Sequence, residues 1–301
     1  TQEEIEAALD CPPNGAIFGS SYYRSPFPYS LWIWNAFHES ESPIGKWVTK
    51  TFGNQPVLMS WVNPALRASV AQSQLRNHGY FRGTVNYEEK PYSKHPKAKI
   101  AYHVDCGHLF TIDTVTYSNF PLNADSLIAA SADEAKIKSG SPFDVVSLDA
   151  ERNRLSNLFR NNGYYYYQPS YASYRADTVN NPGKVKLDVE LADNLPEKAL
   201  KKWYIGNISI NLRRTFMEEL KDSIHYYFFR AYFNGKKPPV RPRVIMSDMK
   251  LRHGQPYDYS KHTESNNRIA SKGMFSSVDF QFTPRDTTAA CDTLDLLLNC
   301  V

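Results

Sequence analysis

The sequence predicts an α+β fold built from three tandem β-α-α-β-β repeats, each a small mixed sheet covered by two helices. Two observations lead to this prediction. A helical segment stops at a glycine and continues into aromatic and β-branched residues three times, in residues 74–88, 157–171 and 268–282. A further strand-like segment then follows each glycine at a nearly constant distance. Repetition at a fixed spacing is typical of chains that stack similar supersecondary units.

Each repeat is predicted to contain a helix that ends at a glycine. Gly79, Gly163 and Gly273 follow segments in which apolar residues have helical spacing. Glycine adopts the left-handed backbone conformation at a helix end without the steric cost of a Cβ atom. We therefore expect the helices to end at these three positions.

Two strands are predicted after each glycine. The first is indicated by its aromatic and β-branched residues. The second begins its apolar phase at Ile100, Val185 and Leu294, which lie 21, 22 and 21 residues after the glycines. Apolar residues alternate with period two from these positions, which indicates a strand with one face on a core.

Residues 108–117 and 202–212 are predicted to be the opening strands of the second and third repeats. Helical material is expected after each of them, in residues 123–136 and 213–229. The first repeat lacks an opening strand and carries an aromatic insertion at residues 20–60. The repeats are then assigned to residues 1–105, 106–200 and 201–301, with glycine, proline and charged residues near the boundaries.

Composition excludes several classes of function. The chain has 301 residues and a net charge of +4, from 35 basic and 31 acidic residues spread along its length, which does not indicate a nucleic-acid groove. The sequence has no apolar run of the roughly 18 residues that a membrane helix requires. The four cysteines lie far apart without a CxxC pair, so neither a zinc site nor a disulfide framework is indicated, and their pairing stays open.

The repeats resemble a known family. The junction "GYF" (79–81), the third strand "KVKLDVEL" (184–191) and the first strand "WYIGNISI" (203–210) resemble POTRA domains, the polypeptide-transport-associated repeats of outer-membrane assembly proteins of the BamA/TamA type. The start of the chain, "EEIEAALDCPPNGAIFG" followed by "GNQPVLMS", is similar to the first repeat of the TamL-like branch. The resemblance extends over nearly the whole chain, although Met274 replaces the usual aromatic residue in the third repeat.

The resemblance implies a periplasmic arm that binds or docks polypeptides for an outer-membrane protein assembly or translocation machine. The implied location is the periplasmic face of the outer membrane of a Gram-negative cell. The implied partners are unfolded outer-membrane polypeptides, a TamB-like or accessory periplasmic subunit, and a C-terminal membrane barrel of the same protein that would follow the chain. Neither a cofactor nor nucleic acid is expected. The alternative interpretation is a structural spacer or partner-docking scaffold that does not bind clients.

In POTRA-like repeats the strand after the glycine is an unpaired edge, and such an edge can bind extended polypeptides by β-augmentation. In the third repeat, alternation predicts that Val278, Phe280 and Phe282 face the core and that the intervening side chains face outward. The predicted edge residues are Phe81, Arg82, Gly83, Thr84, Val85, Tyr165, Tyr166, Tyr167, Ser277, Val278, Asp279, Phe280 and Gln281.

No catalytic or metal site is predicted, and we expect no enzymatic activity. Adjacent carboxylates such as Glu88 and Glu89 point in different directions on a strand, and the sequence contains no nucleophile-elbow, phosphate-loop or zincin motif. The segment "HVDCGH" (103–108) contains residue types that bind zinc. However, His103 occupies the strand position of Asp188 and Leu297, where no ligand role is needed.

The aromatic segment 22–37 allows two interpretations. Its density of aromatic side chains is typical of a satellite core under a long loop or of an exposed partner-binding patch. We expect the former, with the segment packed largely onto the first repeat between its two helices, because large aromatic side chains are mostly buried. In the run Tyr164–Tyr167, alternation predicts that one pair of rings faces away from the core.

Overall fold

The computed structural model describes residues 1–14, 16, 27–91, 98–179, 181–288 and 290–301. It is a mixed α+β protein with small sheets and helices, as predicted. The described residues form two compact units. The first unit contains Thr1–Ile112, Gly140–Val145 and Thr178–Val185, and the second contains Asp113–Ser139, Val146–Asp177 and Lys186–Val301.

The first unit is mainly helical. Its elements are α1 (Gln2–Leu9), α2 (Tyr29–Phe37), α3 (Pro43–Phe52), α4 (Met59–Val62), α5 (Pro64–Asn77), β1 (Thr84–Pro91) and β2 (Ala98–Asp105). Helix α5 begins where Asn63 Oδ1 accepts the N–H of Leu66 at 3.2 Å, a favourable N-terminal cap. The small core of this unit joins Ile5 of α1 and Leu75 of α5 to Val85 of the antiparallel pair β1–β2.

The remaining elements lie wholly or mostly in the second unit. Its helices are α6 (Leu122–Ala130), α7 (Val145–Asn161), α8 (Pro242–Asp248) and α9 (Tyr259–Ser271). Its strands are β3 (Thr111–Ser118), β4 (Ala172–Asp177), β5 (Lys184–Leu191), β6 (Tyr204–Leu212), β7 (Asp222–His225), β8 (Phe229–Phe233), β9 (Val278–Pro284) and β10 (Thr293–Cys300). Three short 3₁₀ helices cover Ala132–Glu134, Pro169–Tyr171 and Glu197–Ala199.

The second unit contains two mixed sheets. One has the strand order β3-β5-β4, and the other has the order β7-β8-β6-β10-β9. In the larger sheet, β10 is parallel to β6 and antiparallel to β9, while β8 is parallel to β6 and antiparallel to β7. The core of this sheet joins Leu296 and Leu298 of β10 to Ile245 of α8 and Ile269 of α9, so the helices cover one face.

The predicted helix ends are confirmed. Helices α5, α7 and α9 each end two residues before the glycine, and Gly79, Gly163 and Gly273 have φ angles of 83°, 102° and 63°. The N–H of Tyr80 donates to the carbonyl of Leu75 at 2.9 Å, and Tyr164 makes the equivalent bond to Phe159 at 3.1 Å. These bonds are the Schellman closure that a left-handed glycine permits.

The strands predicted at a fixed distance from the glycines are also present as β2, β5 and β10, and the predicted opening strands are β3 and β6. In β10 every second residue from Leu294 is buried. The corresponding face of β2 is less protected, since Ile100 is half-buried and Val104 is exposed. A sheet of two strands, β1 and β2, provides less surface on which to build a core.

The helix predicted in residues 213–229 is wrong. This segment forms the loop after β6, then β7 and the start of β8. Aromatic and β-branched residues such as Ile224 and Phe229 favour strands. The β7–β8 hairpin also pairs with the side of β6 opposite β10, so the sheet satisfies backbone groups that a helix would have satisfied internally.

The prediction for the aromatic segment 22–37 is wrong for its described part. Residues 22–26 lie outside the described residues. Helix α2 packs against α3 and has no buried residue; Trp32 is 52% exposed, while Trp34 is half-buried. Apolar side chains occur all round this helix, and contact with one neighbouring helix can cover only one of its faces.

Candidate functional site

Strand β9 is one of the two edges of the five-stranded sheet, the other being β7. Strand β9 pairs with β10 on one side, and no other described strand pairs with it. The N–H of Ser277 donates to the carbonyl of Val301 at 3.3 Å, and the N–H of Val301 donates to the carbonyl of Ser277 at 3.0 Å. At the other end, the N–H of Arg285 donates to the carbonyl of Thr293 at 3.0 Å. These bonds fix which backbone groups of β9 face β10.

Backbone groups of alternate residues in an antiparallel strand face opposite sides. The odd-numbered residues, including Asp279 and Gln281, therefore direct their N–H and C=O groups to β10. Val278, Phe280 and Phe282 direct theirs to the free side. The binding groups of this edge thus belong to the residues whose side chains face the core, and not to the residues with outward side chains.

The side chains beneath this edge are as predicted. Val278, Phe280 and Phe282 are partly buried against the core, while Asp279 and Gln281 are exposed. Helix α9 places the imidazole of His262 4.9 Å from the ring of Phe280 and 5.0 Å from that of Phe282. Burial, with a smaller effect of the nearby positive charge of Arg160, lowers the pKa of His262 to about 4. At neutral pH the imidazole of His262, which packs against the rings of Phe280 and Phe282, is therefore uncharged.

Two further predicted edges are present but begin later than predicted. Strand β4 is at the edge of the three-stranded sheet, and β1 pairs with β2 alone among the described strands. Thr84 and Val85 lie in β1 as predicted. The other edge of the five-stranded sheet, β7, was not predicted because the segment that contains it was assigned to a helix.

Seven predicted edge residues lie outside the strands. Ser277 directly precedes β9, although its backbone is hydrogen-bonded to that of Val301. Phe81, Arg82 and Gly83 precede β1, and Tyr165, Tyr166 and Tyr167 lie in the turn and loop before the 3₁₀ helix that leads into β4. Their assignment to edge strands is wrong. The predicted alternation of the tyrosine rings is also absent, because Tyr164 and Tyr167 are both buried.

The aromatic residues after the first glycine form a joint with later segments of the first unit. The carbonyl of Gly79 accepts the N–H of Phe110 at 3.0 Å, and the carbonyl of Phe110 accepts the N–H of Phe143 at 3.0 Å. The ring of Phe81 lies 5.2 Å from that of Phe110 and 4.9 Å from that of Phe143. Phe81 is therefore a packing residue.

The second unit repeats this joint. The carbonyl of Gly163 accepts the N–H of Trp203 at 2.8 Å, and the carbonyl of Trp203 accepts the N–H of Tyr257 at 2.8 Å. The ring of Tyr165 lies 4.8 Å from that of Tyr257, and the ring of Tyr166 lies 5.2 Å from that of Trp203. Burial raises the pKa of Tyr165 and of Tyr166, so the hydroxyls of these two residues stay protonated in the joint.

The joints depend on a second short motif that sequence reasoning missed. Residues 140–144 read "GSPFD" and residues 254–258 read "GQPYD". In each case the glycine N–H donates 2.7 Å to an isoleucine carbonyl, of Ile112 or Ile205, at the start of a strand. Comparing the segments before α7 and α9 with each other could have identified this motif.

The residues considered for metal binding do not form a site. His103 lies 3.8 Å from Glu88 on the exposed face of the β1–β2 pair. Among the described residues, no group of three or more His, Cys, Asp and Glu side chains could hold a metal ion. Within the same residues, the helices are too short or too polar to cross a membrane.

The chain is similar to several solved structures at low identity. It shares 10% identity with POTRA domains 3–5 of BamA from Haemophilus influenzae, with 78% of each chain covered and a TM-score of 0.43. It shares 15% identity with the N-terminal domain of Omp85 from Thermosynechococcus elongatus, covering 87% of this chain and 93% of that one with a TM-score of 0.28. For POTRA domains 1–3 of Omp85 from Anabaena, the identity is 14%, the coverage 86% and 89%, and the TM-score 0.27. No protein-family model and no curated protein matches the sequence.

Proposed function

We propose that the chain is a periplasmic polypeptide-binding arm of an outer-membrane protein assembly or translocation machine, made of three POTRA-like repeats at residues 1–105, 106–200 and 201–301. The resemblance of the repeats to POTRA domains supports the class of machine. The joints at Gly79 and Gly163 support the division, because each ties a helix end to the opening strand of the next repeat. Unfolded outer-membrane polypeptides are the proposed clients.

The observation that carries the proposal is the free side of β9. The backbone groups of Val278, Phe280 and Phe282 face this side without a strand partner among the described residues. An added strand would pair with these groups and would need little side-chain complementarity. Such a mode of binding suits an arm that accepts many unrelated polypeptides.

A proline at Val278 tests this mode. Val278→Pro removes an N–H that faces the free side and leaves the bonds to β10 in place. Val278→Ala loses the same side-chain contacts but keeps the N–H, so it is the matched control. We expect Val278→Pro to fold and to bind an extended peptide from an outer-membrane strand about tenfold more weakly than Val278→Ala, given the combined loss of a backbone bond and of strand geometry.

Fluorescence anisotropy of the labelled peptide measures the affinity, and circular dichroism checks the fold. Equal affinities for the two folded variants would remove β-augmentation at this edge. That result would favour the alternative function, a spacer or scaffold that docks a TamB-like or accessory subunit. The repeated joints are the feature that favours this alternative, since hydrogen-bonded aromatic packing at each junction suits a stiff scaffold.

A further inference from the structure

The tip of the β7–β8 hairpin carries two exposed aromatic residues where a polar turn is expected. The N–H of Tyr226 donates to the carbonyl of Phe229 at 2.9 Å, which closes a turn with Tyr227 and Phe228 at its centre. Tyr227 is 90% exposed and Phe228 is 64% exposed. Short hairpin turns normally contain glycine, asparagine, aspartate or serine. A large apolar pair at this position therefore indicates a binding surface.

The tip is held in shape by its own neighbours. The rings of Tyr226 and Phe229 stack at 4.4 Å with an angle of 15° between their planes, and the guanidinium of Arg243 lies 5.5 Å from the ring of Tyr226. The rings of Tyr227 and Phe228 meet edge to face at 4.5 Å. The exposed pair is thus presented on an ordered base, with a positive charge beside it.

A cavity of about 310 Å³ lies beside the tip, on the face of the sheet that α8 and α9 leave open. Its lining includes Tyr227, Phe228, His225, Arg230 and His253, together with residues of β6. Among the described residues, no carboxylate lines this cavity. Its polar groups can therefore receive an anion without repulsion.

The polar groups of the cavity are oriented by the fold. Arg230 Nε donates to His225 Nδ1 at 3.4 Å, and its Nη1 donates to the hydroxyl of Tyr232 at 3.5 Å. The N–H groups of Nη2 remain for a ligand. The Nδ1–H of His253 donates to the carbonyl of Gly206 at 2.7 Å, because a carbonyl oxygen can only accept. Because Nδ1 of His225 accepts from Arg230, Nε2 of His225 carries a proton and can donate to an anion, whereas Nε2 of His253 donates only when that ring is protonated.

The hairpin and the segment after it are mainly basic. Residues 222–248 contain five basic residues and two acidic ones, Asp222 and Asp248 at the two ends, whereas the whole chain has a net charge of only +4 from 35 basic and 31 acidic residues. Asp295, which accepts the N–H of Asn207 beside the cavity at 2.6 Å, is paired with Arg285 at 2.7 Å. Basic side chains around exposed aromatic side chains are the combination that binds the interface of an anionic membrane. A free anion would fill the cavity but would leave the apolar tip in water.

We propose that this hairpin docks on an anionic phospholipid surface, with a lipid phosphate in the Arg230 cavity and with Tyr227 and Phe228 inserted among the headgroups. The site is separate from the β9 edge, so lipid binding and client binding can each fail without the other. The ligand group is a phosphodiester, and the experiment distinguishes the lipid from free phosphate.

Flotation of the full chain with vesicles tests the proposal. We expect binding to vesicles of phosphatidylcholine mixed with phosphatidylglycerol and little binding to phosphatidylcholine alone. Arg230→Gln should weaken binding about fivefold, the effect of one basic residue at a charged surface. The double variant Tyr227→Ser with Phe228→Ser should weaken it about tenfold or more, through the lost apolar contact. Arg76→Gln and Tyr87→Ser are matched controls at exposed positions of the first unit, and we expect them to bind as the parent chain does.

Each of the other outcomes overturns the proposal. Equal losses for Arg230→Gln and Arg76→Gln, with no effect of the tip variant, would mean non-specific adsorption by charge. If the chain bound inorganic phosphate but did not float with vesicles, the cavity would be a site for the free ion. Binding of an acidic peptide without vesicle binding would assign the surface to a protein partner. Circular dichroism of every variant confirms that loss of binding is not loss of fold.

Discussion

At the scale of single residues, Glu151 shows how the second unit holds a buried charge. Its carboxylate is fully buried and accepts hydrogen bonds from Arg154 at 2.6 Å, from the hydroxyl of Tyr117 at 2.8 Å and from the N–H of Lys136 at 2.8 Å. Burial alone would raise the pKa of Glu151, but these hydrogen bonds, with that from Arg154 the largest, lower it below the ordinary value of 4.5. The carboxylate is therefore charged and structural.

We predict that Glu151→Gln lowers the free energy of unfolding by about 3 kcal/mol, because Arg154 is left without its buried counter-charge. The pKa of Glu151 is lower in the folded state than in the unfolded state. Its stabilisation is therefore fully present above the unfolded pKa and is lost as the pH falls through the folded pKa. Urea unfolding between neutral pH and pH 3 measures this. The parent chain should lose more stability below about pH 4.5 than Glu151→Gln, and parallel losses would contradict the prediction.

Gly79 and Gly140 provide a matched pair for the first joint. Both belong to the first unit and have nearly equal φ angles of 83° and 84°. A Cβ atom at Gly79 would lie 2.8 Å from the carbonyl oxygen of Phe143, whereas one at Gly140 would meet no described atom within 4 Å. We predict that Gly140→Ala costs about 1 kcal/mol for the left-handed backbone alone.

Gly79→Ala should cost at least about 1 kcal/mol more than Gly140→Ala, because the joint must also shift to relieve the contact with the Phe143 backbone. Thermal unfolding of the two variants measures the difference. Similar melting temperatures would mean that the contact at Gly79 relaxes freely and that the joint is loose.

At the scale of elements, the central position of β10 distinguishes it from the edge strand β9. Leu296 is 1% exposed and lies in a strand that pairs with both β6 and β9. We predict that Leu296→Pro unfolds this sheet, because proline removes a ladder hydrogen bond and the core side chain together. Far-ultraviolet circular dichroism and a lost cooperative transition would report this. Leu296→Ala is the control for the side chain, and it should stay folded with a loss of about 2–5 kcal/mol.

The elements that sequence predicted well are those specified locally. A helix can end at a glycine because that residue adopts a positive φ angle, and Gly163 has a φ angle of 102°. The period of two in β10 is likewise a local property, and Leu294 and Leu298 are both buried. Such features are readable because neighbouring residues determine them.

The elements that sequence missed depend on distant partners. Tyr165 and Tyr166 have strand-like composition, but their rings contact Tyr257 and Trp203, which no local pattern can indicate. The β7–β8 hairpin is stabilised by parallel pairing with β6, with Phe229 opposite Ile208. Tertiary contacts override local propensity in both cases.

At the scale of the whole molecule, several free edges lie on one chain. Strands β4 and β9 of the second unit each pair on one side only among the described strands. The N–H of Ala192, at the end of β5, donates to the carbonyl of Tyr171 at 2.9 Å, so the backbone groups of Tyr171 and of every second residue after it face β5. The backbone groups of Tyr174 and Ala176 therefore face the free side of β4. Weak sites on one molecule can bind a long chain together more tightly than either binds alone.

We predict that the double variant Ala176→Pro with Val278→Pro lowers affinity for a long unfolded outer-membrane polypeptide by about a hundredfold or more. Affinity for a short peptide that spans one edge should fall only about tenfold, because avidity is lost only for the client that reaches both edges. Ala176→Pro removes almost no side chain, so its effect reports the backbone. Equal losses for the two clients would mean that the edges act singly.

The alternation in β9 also bears on how such a site changes through evolution. Asp279 and Gln281 can be substituted without altering the groups offered to an added strand, and Val278 and Phe280 are restricted by the core rather than by a ligand. Natural sequence variation along this strand would therefore reflect the requirements of packing and solubility. Alanine substitutions would not reveal the recognition surface, because they leave the backbone groups in place. The amide protons of Val278, Phe280 and Phe282 carry that information, as a solvent-exchange pattern that repeats every second residue.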